Sequence, residues 1–210
     1  MISKKKLLKK SRLYLILDKR ICGHKSMIAI AQEAARAGAD IVQLRDKESS
    51  RESILAEALR IRKILLNTKT LFIVNDHLDI AKIADSDGVH LGQEDHSASI
   101  ARKILGKDKI IGVSCANLSQ ARIALKQGAD YIGVGPIFTT LTKPKAPPCG
   151  LKIIKRMRAC PIPFFVLGGI TERNLRAVLS AGAKRIAVGE AICKAKDSAA
   201  SVRRLRRLLK

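Results

Sequence analysis

The sequence predicts one α/β domain, a (β/α)8 TIM barrel, and three observations carry that expectation. Eight short apolar or β-branched runs recur along 210 residues, near 13–17, 41–44, 71–74, 88–91, 110–113, 131–134, 163–167 and 185–188, with helical periodicity between them. A unit also repeats: "ARAGADIVQLR" (35–45), "LKQGADYIGVG" (125–135) and "LSAGAKRIAVG" (179–189) each end an Ala-rich helix on a glycine and enter a strand. Glycine there takes the left-handed conformation that satisfies the last helical carbonyls. The strands, finally, are almost continuously apolar, as parallel strands covered on both faces are. Eight such units over this length close into a barrel. A doubly wound open sheet is the alternative, but no G-x-G-x-x-G follows the first strand.

From the second strand on, each strand delivers polar residues at its end. The second ends in "QLRDK", with Gln43, Arg45 and Lys47, and a helix follows whose Ile54, Ala58, Ile61 and Leu65 share one face. The third, "FIVNDH", brings Asn75 and Asp76; the fourth, "VHLGQED", brings Gln93, Glu94 and Asp95. Ser114 follows the fifth. The sixth leads into "GPIFTTLTK", with Thr139, Thr140, Thr142 and Lys143; the seventh into Gly168-Gly169; the eighth into Gly189 and Glu190. Val202, Leu205 and Leu209 give a last helix one buried face. Singly, each polar group has a structural explanation: solvated charges, a helix cap at Asn75-Asp76, a tight turn at Gly168-Gly169. Together they ring the end of a barrel where chemistry sits.

Composition bounds the rest. Hydrophobic residues make up 47% of the chain and aromatic ones 3%, with no Trp, so the core is aliphatic. The formal net charge is +23, concentrated partly in residues 4–12 and 203–210. Such a field attracts anions without choosing among them. Residues 1–11 are read as a basic, solvated N-terminal arm and 12–210 as the barrel. Five scattered cysteines with no Cys-x-x-Cys pair make a disulfide framework or zinc ribbon unexpected and point to a reducing cytoplasm. The apolar run Leu13–Leu17 is too short for a signal-peptide core or a membrane span.

The residue types at the mouth suggest a site for two anions. Asp76 and Asp95 lie one strand–helix unit apart and suit a hard cation; Mg2+ takes one or two protein carboxylates and completes its shell with water and substrate phosphate. Arg45, Lys47 and Lys143 suit a diphosphate. Gly168-Gly169, expected to open a helix, suits a separate phosphate. His77, His90 and His96 lie near the carboxylates without zinc-ligand spacing, and His90 is expected to be packed and hydrogen-bonded within its strand. "GVSCA" (112–116) is not a nucleophile elbow.

With these residues in view, the chain from about Arg12 onward resembles the thiamine phosphate synthase family. The likeness rests on "VQLRDK", "VND", "DGVHLGQED", "IGVS", "GADYIGVGPIF", the T-x-T-K at 140–143 and "LGGI". The resemblance implies a transferase that joins hydroxymethylpyrimidine diphosphate to a thiazole phosphate through a pyrimidine carbocation, releasing pyrophosphate. It implies that Gln43, Leu44, Arg45, Asp46, Lys47, Asn75, Ser114 and Lys143 hold the pyrimidine diphosphate, with Arg45, Lys47, Ser114 and Lys143 catalytic. Asp76 and Asp95 would hold Mg2+, and Thr140, Leu141, Thr142, Gly169, Gly189 and Glu190 the thiazole phosphate. The Pro- and Lys-rich stretch 139–150 would be a lid. Two phosphorylated small molecules are the expected partners, with no specific nucleic acid, no membrane, and room for a homo-oligomer.

One stretch departs from the family. Where a small residue and Ser-Ala-Ile are usual, this chain has "AVGEAI": Ala187 lacks a hydroxyl and Glu190 adds a carboxylate near an expected phosphate. Backbone amides at 189–190 would still serve if the Glu190 side chain turned outward. Three other functions compete. A thiazole tautomerase-type relative would have no use for the diphosphate motifs. A retired barrel acting as a basic nucleic-acid-binding or regulatory protein fits the charge, but aromatic stacking residues are scarce and no recognisable binding motif is present. Membrane-surface attachment through the last helix would compete with that helix's packing on the barrel.

Overall fold

Eight parallel strands pair in chain order and close on themselves: β1 (Leu13–Asp18), β2 (Ile41–Arg45), β3 (Leu71–Asn75), β4 (Gly88–Leu91), β5 (Ile110–Cys115), β6 (Tyr131–Val134), β7 (Phe164–Leu167) and β8 (Ile186–Val188), the last pairing with the first. This computed structural model describes residues 3–142, 144 and 146–210. The strands fall where the sequence predicts them, with ends differing by one or two residues. Outside them run α1 (Lys4–Lys10), α2 (Lys19–Cys22), α3 (Met27–Ala37), α4 (Arg51–Leu65), α5 (Leu78–Ile83), α6 (Ala98–Leu105), α7 (Leu118–Lys126), α8 (Lys152–Met157), α9 (Leu175–Ser180), α10 (Glu190–Cys193) and α11 (Ser198–Leu208).

Local chemistry explains the element ends. Ser26, Ser50, Ser97, Asn117 and Asp197 each cap a helix by accepting an amide of its first turn. The glycines of the repeated unit, Gly38, Gly128 and Gly182, all have positive φ, between 89° and 104°. Helix α4 buries Ile54, Ala58, Ile61 and Leu65, and the last helix buries Val202 and Leu205, as their spacing predicts.

Alternation along the strands sorts side chains into two cores. Leu13, Leu15, Leu17, Val42, Leu44 and Val74 face the helices. Tyr14, Ile41, Leu71, Ile73, Ile110, Tyr131, Phe165 and Ala187 fill the barrel. The register sets them in layers: Tyr14 opposite Ile41 and Ala187, Ile41 opposite Leu71, Gly112 opposite Tyr131. Glycine at 112 is required, because a Cβ there would run into the Tyr131 ring.

The segment expected to be a solvated arm folds differently. Residues Lys4–Lys10 form α1, and Leu8 is 2% exposed within the barrel-filling cluster. Lys4 reaches Asp87 at 3.0 Å and Lys5 reaches Asp130 at 3.0 Å, both acids preceding strands. One leucine closing the open end of the barrel gains roughly 2 kcal/mol from burial. Five lysines in seven residues hid that single anchor from a pattern search. Arg12 Nη1 donates to the Leu209 carbonyl at 2.5 Å, tying the start of β1 to the end of α11. Among the described residues no helix is long and apolar enough to cross a membrane.

Candidate active site

The two-residue period of the strands decides which side chains reach the mouth. The inward set continues upward from the filled layers to Asp18 and Arg45, which are register partners, then to Asn75 and His90, also partners, and to Ser114 opposite Gly133. Gly133 is small for a reason: a Cβ there would approach His90 Cε1 to 3.1 Å and Leu167 Cδ2 to 2.9 Å.

A buried chain of hydrogen bonds supports this layer. Gln43 Nε2 donates to the Tyr14 hydroxyl at 2.6 Å, and the Tyr14 and Tyr131 hydroxyls lie 2.9 Å apart. The Tyr131 hydroxyl stands 3.0 Å from His90 Nδ1, and His90 Nε2 stands 2.9 Å from Ser114 Oγ. Burial raises both phenol pKa values, so both stay protonated. Gln43 thus orients a core hydroxyl, and His90, packed and hydrogen-bonded as expected, orients Ser114.

The cations of "QLRDK" are already engaged. Arg45 pairs with Asp18, which is 2% exposed and also accepts the amides of Arg20 (3.0 Å) and Ile21 (3.3 Å) as the cap of α2. Lys47 Nζ lies 2.8 Å from Asp76 Oδ2. Asp46 turns back to accept the amides of Glu48 (2.9 Å) and Ser49 (3.0 Å), so its carboxylate fixes the loop that presents Lys47. Leu44 sits in the layer beneath the helices, leaving only its backbone near the mouth.

Asp76 is unusual in its backbone: φ is +63°, a left-handed conformation uncommon for a residue with a Cβ. Its amide donates to the His90 carbonyl at 2.9 Å, and its carboxyl faces Asp95. Burial, and then Asp95 through hydrogen bonding and charge, push the Asp76 carboxyl above the ordinary carboxylate range, against the pull of Lys47. Asp95 Oδ2 also accepts the Gly92 amide at 2.6 Å. No cluster of three or more His, Cys, Asp or Glu groups with metal-holding geometry occurs among the described residues. Two neighbouring carboxylates are the donor set at hand.

Among the cavities that open at this end, two bear on the site. One, of about 460 Å3, is lined by Lys47, Gln93, Glu94, Asp95, Ser114, Pro136 and Cys149 among others. The second, of about 160 Å3, is lined by Thr139, Thr140, Thr142, Gly168, Gly169, Gly189 and Glu190 among others. Gly168 and Gly169 have φ of 100° and 62°; a Cβ on Gly169 would meet the Thr139 carbonyl oxygen at 2.5 Å. The Gly-Gly turn does not itself open a helix. It leads through residues 171–174 to α9, and Asn174 pins it, donating to the Gly169 carbonyl at 2.8 Å and accepting the Thr171 amide at 2.8 Å. The Thr140 and Thr142 hydroxyls lie 2.8 Å apart, while the Leu141 side chain is half-exposed between them. Glu190 points its carboxylate to Lys194 Nζ at 3.1 Å, one turn along α10 and its cap. Lys143 lies outside the described residues.

Sequence reasoning gathered Gln43, Arg45, Lys47, Asn75, Asp76, Asp95, Ser114 and the threonine and glycine loops to one end, and they are found there. It did not find Asp18, Tyr14, Tyr131 or Asn174 as supports. Asp18, a carboxylate between an apolar strand and a short helix, carried a capping signal; the tyrosines carried none.

Residues 13–192 match the family model described as thiamine monophosphate synthase. The thiamine-phosphate synthase of Coprothermobacter proteolyticus is 41% identical over 210 residues, all of both chains. That of Chloroflexus aurantiacus is 42% identical over 200 residues, 94% of this chain and 92% of the other. Among solved structures, a thiamine phosphate pyrophosphorylase from Pyrococcus furiosus superposes with a TM-score of 0.86 at 34% identity, covering 95% of this chain and 96% of that one.

Proposed function

The chain belongs to the thiamine monophosphate synthase family, and from that membership we propose that it condenses 4-amino-2-methyl-5-hydroxymethylpyrimidine diphosphate with 4-methyl-5-hydroxyethylthiazole phosphate. The products are thiamine phosphate and pyrophosphate. Two cavities at the strand ends carry this reading, one charged and the other lined by hydroxyls and glycines. A diphosphate and a monophosphate ester need two such places, side by side.

In the reaction the bond between the pyrimidine methylene and the diphosphate oxygen breaks, and its electron pair leaves with the diphosphate. The thiazole nitrogen lone pair then forms the new carbon–nitrogen bond. Arg45 and Lys47, with Lys143, would oppose the charge growing on the leaving diphosphate, an electrostatic contribution made largest where water is excluded. Arg45 is held in orientation by Asp18, leaving other guanidinium N–H groups for phosphate oxygens. Lys47 exchanges Asp76 for the diphosphate. Ser114, oriented by His90, donates to the same anion. Thr140, Thr142 and the amides near Gly169 and Gly189 would hold the thiazole phosphate, and the 139–150 stretch would cover the carbocation against water.

Asp76 and Asp95 fit Mg2+. They offer hard oxygens in pairs, they repel one another when no cation separates them, and no soft ligand intrudes among the residues lining the charged cavity except Cys115 and Cys149. When bound, Mg2+ supplies neutralisation of diphosphate charge. The five cysteines, all unpaired, suit a cytoplasmic enzyme. Pyrophosphate release by the purified protein tests the whole reading: it should need both substrates and Mg2+, and stop with EDTA. Release from the pyrimidine diphosphate alone, at the same rate, would sink it.

A further inference from the structure

At the opposite end of the barrel a cavity of about 680 Å3 opens beneath β7 and β8. Lys9, Arg158, Lys184 and Arg185 line it, together with an apolar strip that includes Ile162 and Phe164. Among the described residues no carboxylate lines it. At this end of the barrel Arg62 pairs with Asp87 and Arg102 with Asp130. None of the four in the cavity forms an ion pair among the described residues. Arg185 is fixed by one bond, from Nη2 to the Lys9 carbonyl at 2.9 Å, and its Nε is sealed from solvent with no acceptor. Burial first, and then Arg12, work against the charge of Arg185. Arg158 folds its Cδ to within 3.4 Å of the space above Gly182. Four like charges drawn to one hollow without a counter-charge repel each other, and an anion relieves that repulsion.

We propose that this cavity is a second anion site, which binds an organic polyphosphate carrying a flat ring. The phosphates lie against Arg158, Lys184 and Arg185, and the ring lies on Ile162 and Phe164. The volume suits a ligand of that size. Neither the reaction nor the mouth of the barrel uses any of these residues.

The test uses the full chain with Lys47→Ala, so that phosphate affinity at the mouth is weakened, and titrates it calorimetrically with ATP. One saturable site is expected. Arg158→Ala with Lys184→Ala, both exposed side chains, should weaken it about tenfold or more. Arg207→Ala with Lys210→Ala removes the same charge from the surface near α11 and should leave it unchanged. Inorganic tripolyphosphate should bind more weakly than ATP. Equal loss in both double variants would reduce the site to the general basic field. Failure of ATP to saturate the Lys47→Ala protein would overturn the site outright, including the case where ATP had bound the wild-type mouth. Tripolyphosphate binding as tightly as ATP would remove the ring from the proposal.

Discussion

Lys47 Nζ and Asp76 Oδ2 stand 2.8 Å apart, so the lysine offered to one anion is held in waiting by another. Asp76 occupies this position on a left-handed backbone. Asn tolerates that conformation better than Ala, so Asp76→Asn isolates the lost charge from backbone strain. Turnover should fall about 100-fold or more, while the denaturant midpoint should shift little, since the lysine of the pair is half-exposed and such a pair contributes about 1 kcal/mol. Steady-state rates and urea melts check this together; a large stability loss would mark Asp76 as structural.

The raised pKa of Asp76 sets an acid limit. A raised carboxyl takes up its proton at a higher pH than a free aspartate does, so its cation-binding form is lost earlier on acidification. Apparent Mg2+ affinity, titrated with the pyrimidine diphosphate present, should therefore decline at a pH above the ordinary aspartate range. Asp95→Asn removes one cause of the shift and should move that decline to lower pH. A decline that stayed in place would break the coupling between the two.

Tyr131→Phe deletes a hydroxyl that partners both Tyr14 and His90. Leaving those groups underserved in the core should cost about 1–2 kcal/mol. If His90 orients Ser114 through this chain, kcat should fall while KM for the thiazole phosphate holds, and Tyr131→Phe with Ser114→Ala should be no slower than Ser114→Ala alone. Additive losses in that double-mutant cycle would separate the two residues.

Glu190 is held by Lys194 at 3.1 Å. Glu190→Gln should leave KM for the thiazole phosphate within about twofold, because the carboxylate is already turned to a cation. Lys194→Ala frees that carboxylate and should raise the same KM by more than Glu190→Gln does. At this exposure the pair is worth well under 1 kcal/mol, so the KM ratio is the informative quantity. A rise in Glu190→Gln alone would mean the carboxylate itself assists binding.

The barrel was legible because its signals are local. Apolar runs, the glycine after each repeated helix and the i, i+4 spacing of α4 are read within a dozen residues. The mouth was legible for a related reason: a strand end names its own polar residues, as "QLRDK" and "VNDH" do. What escaped reading depends on distance along the chain. Tyr14 and Tyr131 meet across the barrel, separated by 117 residues. Leu8 fills a hollow that exists only once the strands have closed. Asp18 reads as a cap until Arg45 arrives from the next strand. Glu190 lay within reach of sequence, since Lys194 stands four residues later, one helical turn along.

The seam where β8 meets β1 has a consequence for synthesis. β1 emerges early, yet the strand that covers its outer edge is the last of the eight. Through most of translation that edge presents unpaired backbone groups, a template for pairing with a neighbouring chain. The five lysines of α1 directly precede β1 in the chain, so two such edges brought together bring like charges with them. Their mutual repulsion acts as a gatekeeper, and the same residues become the stopper of the finished barrel once the seam is closed.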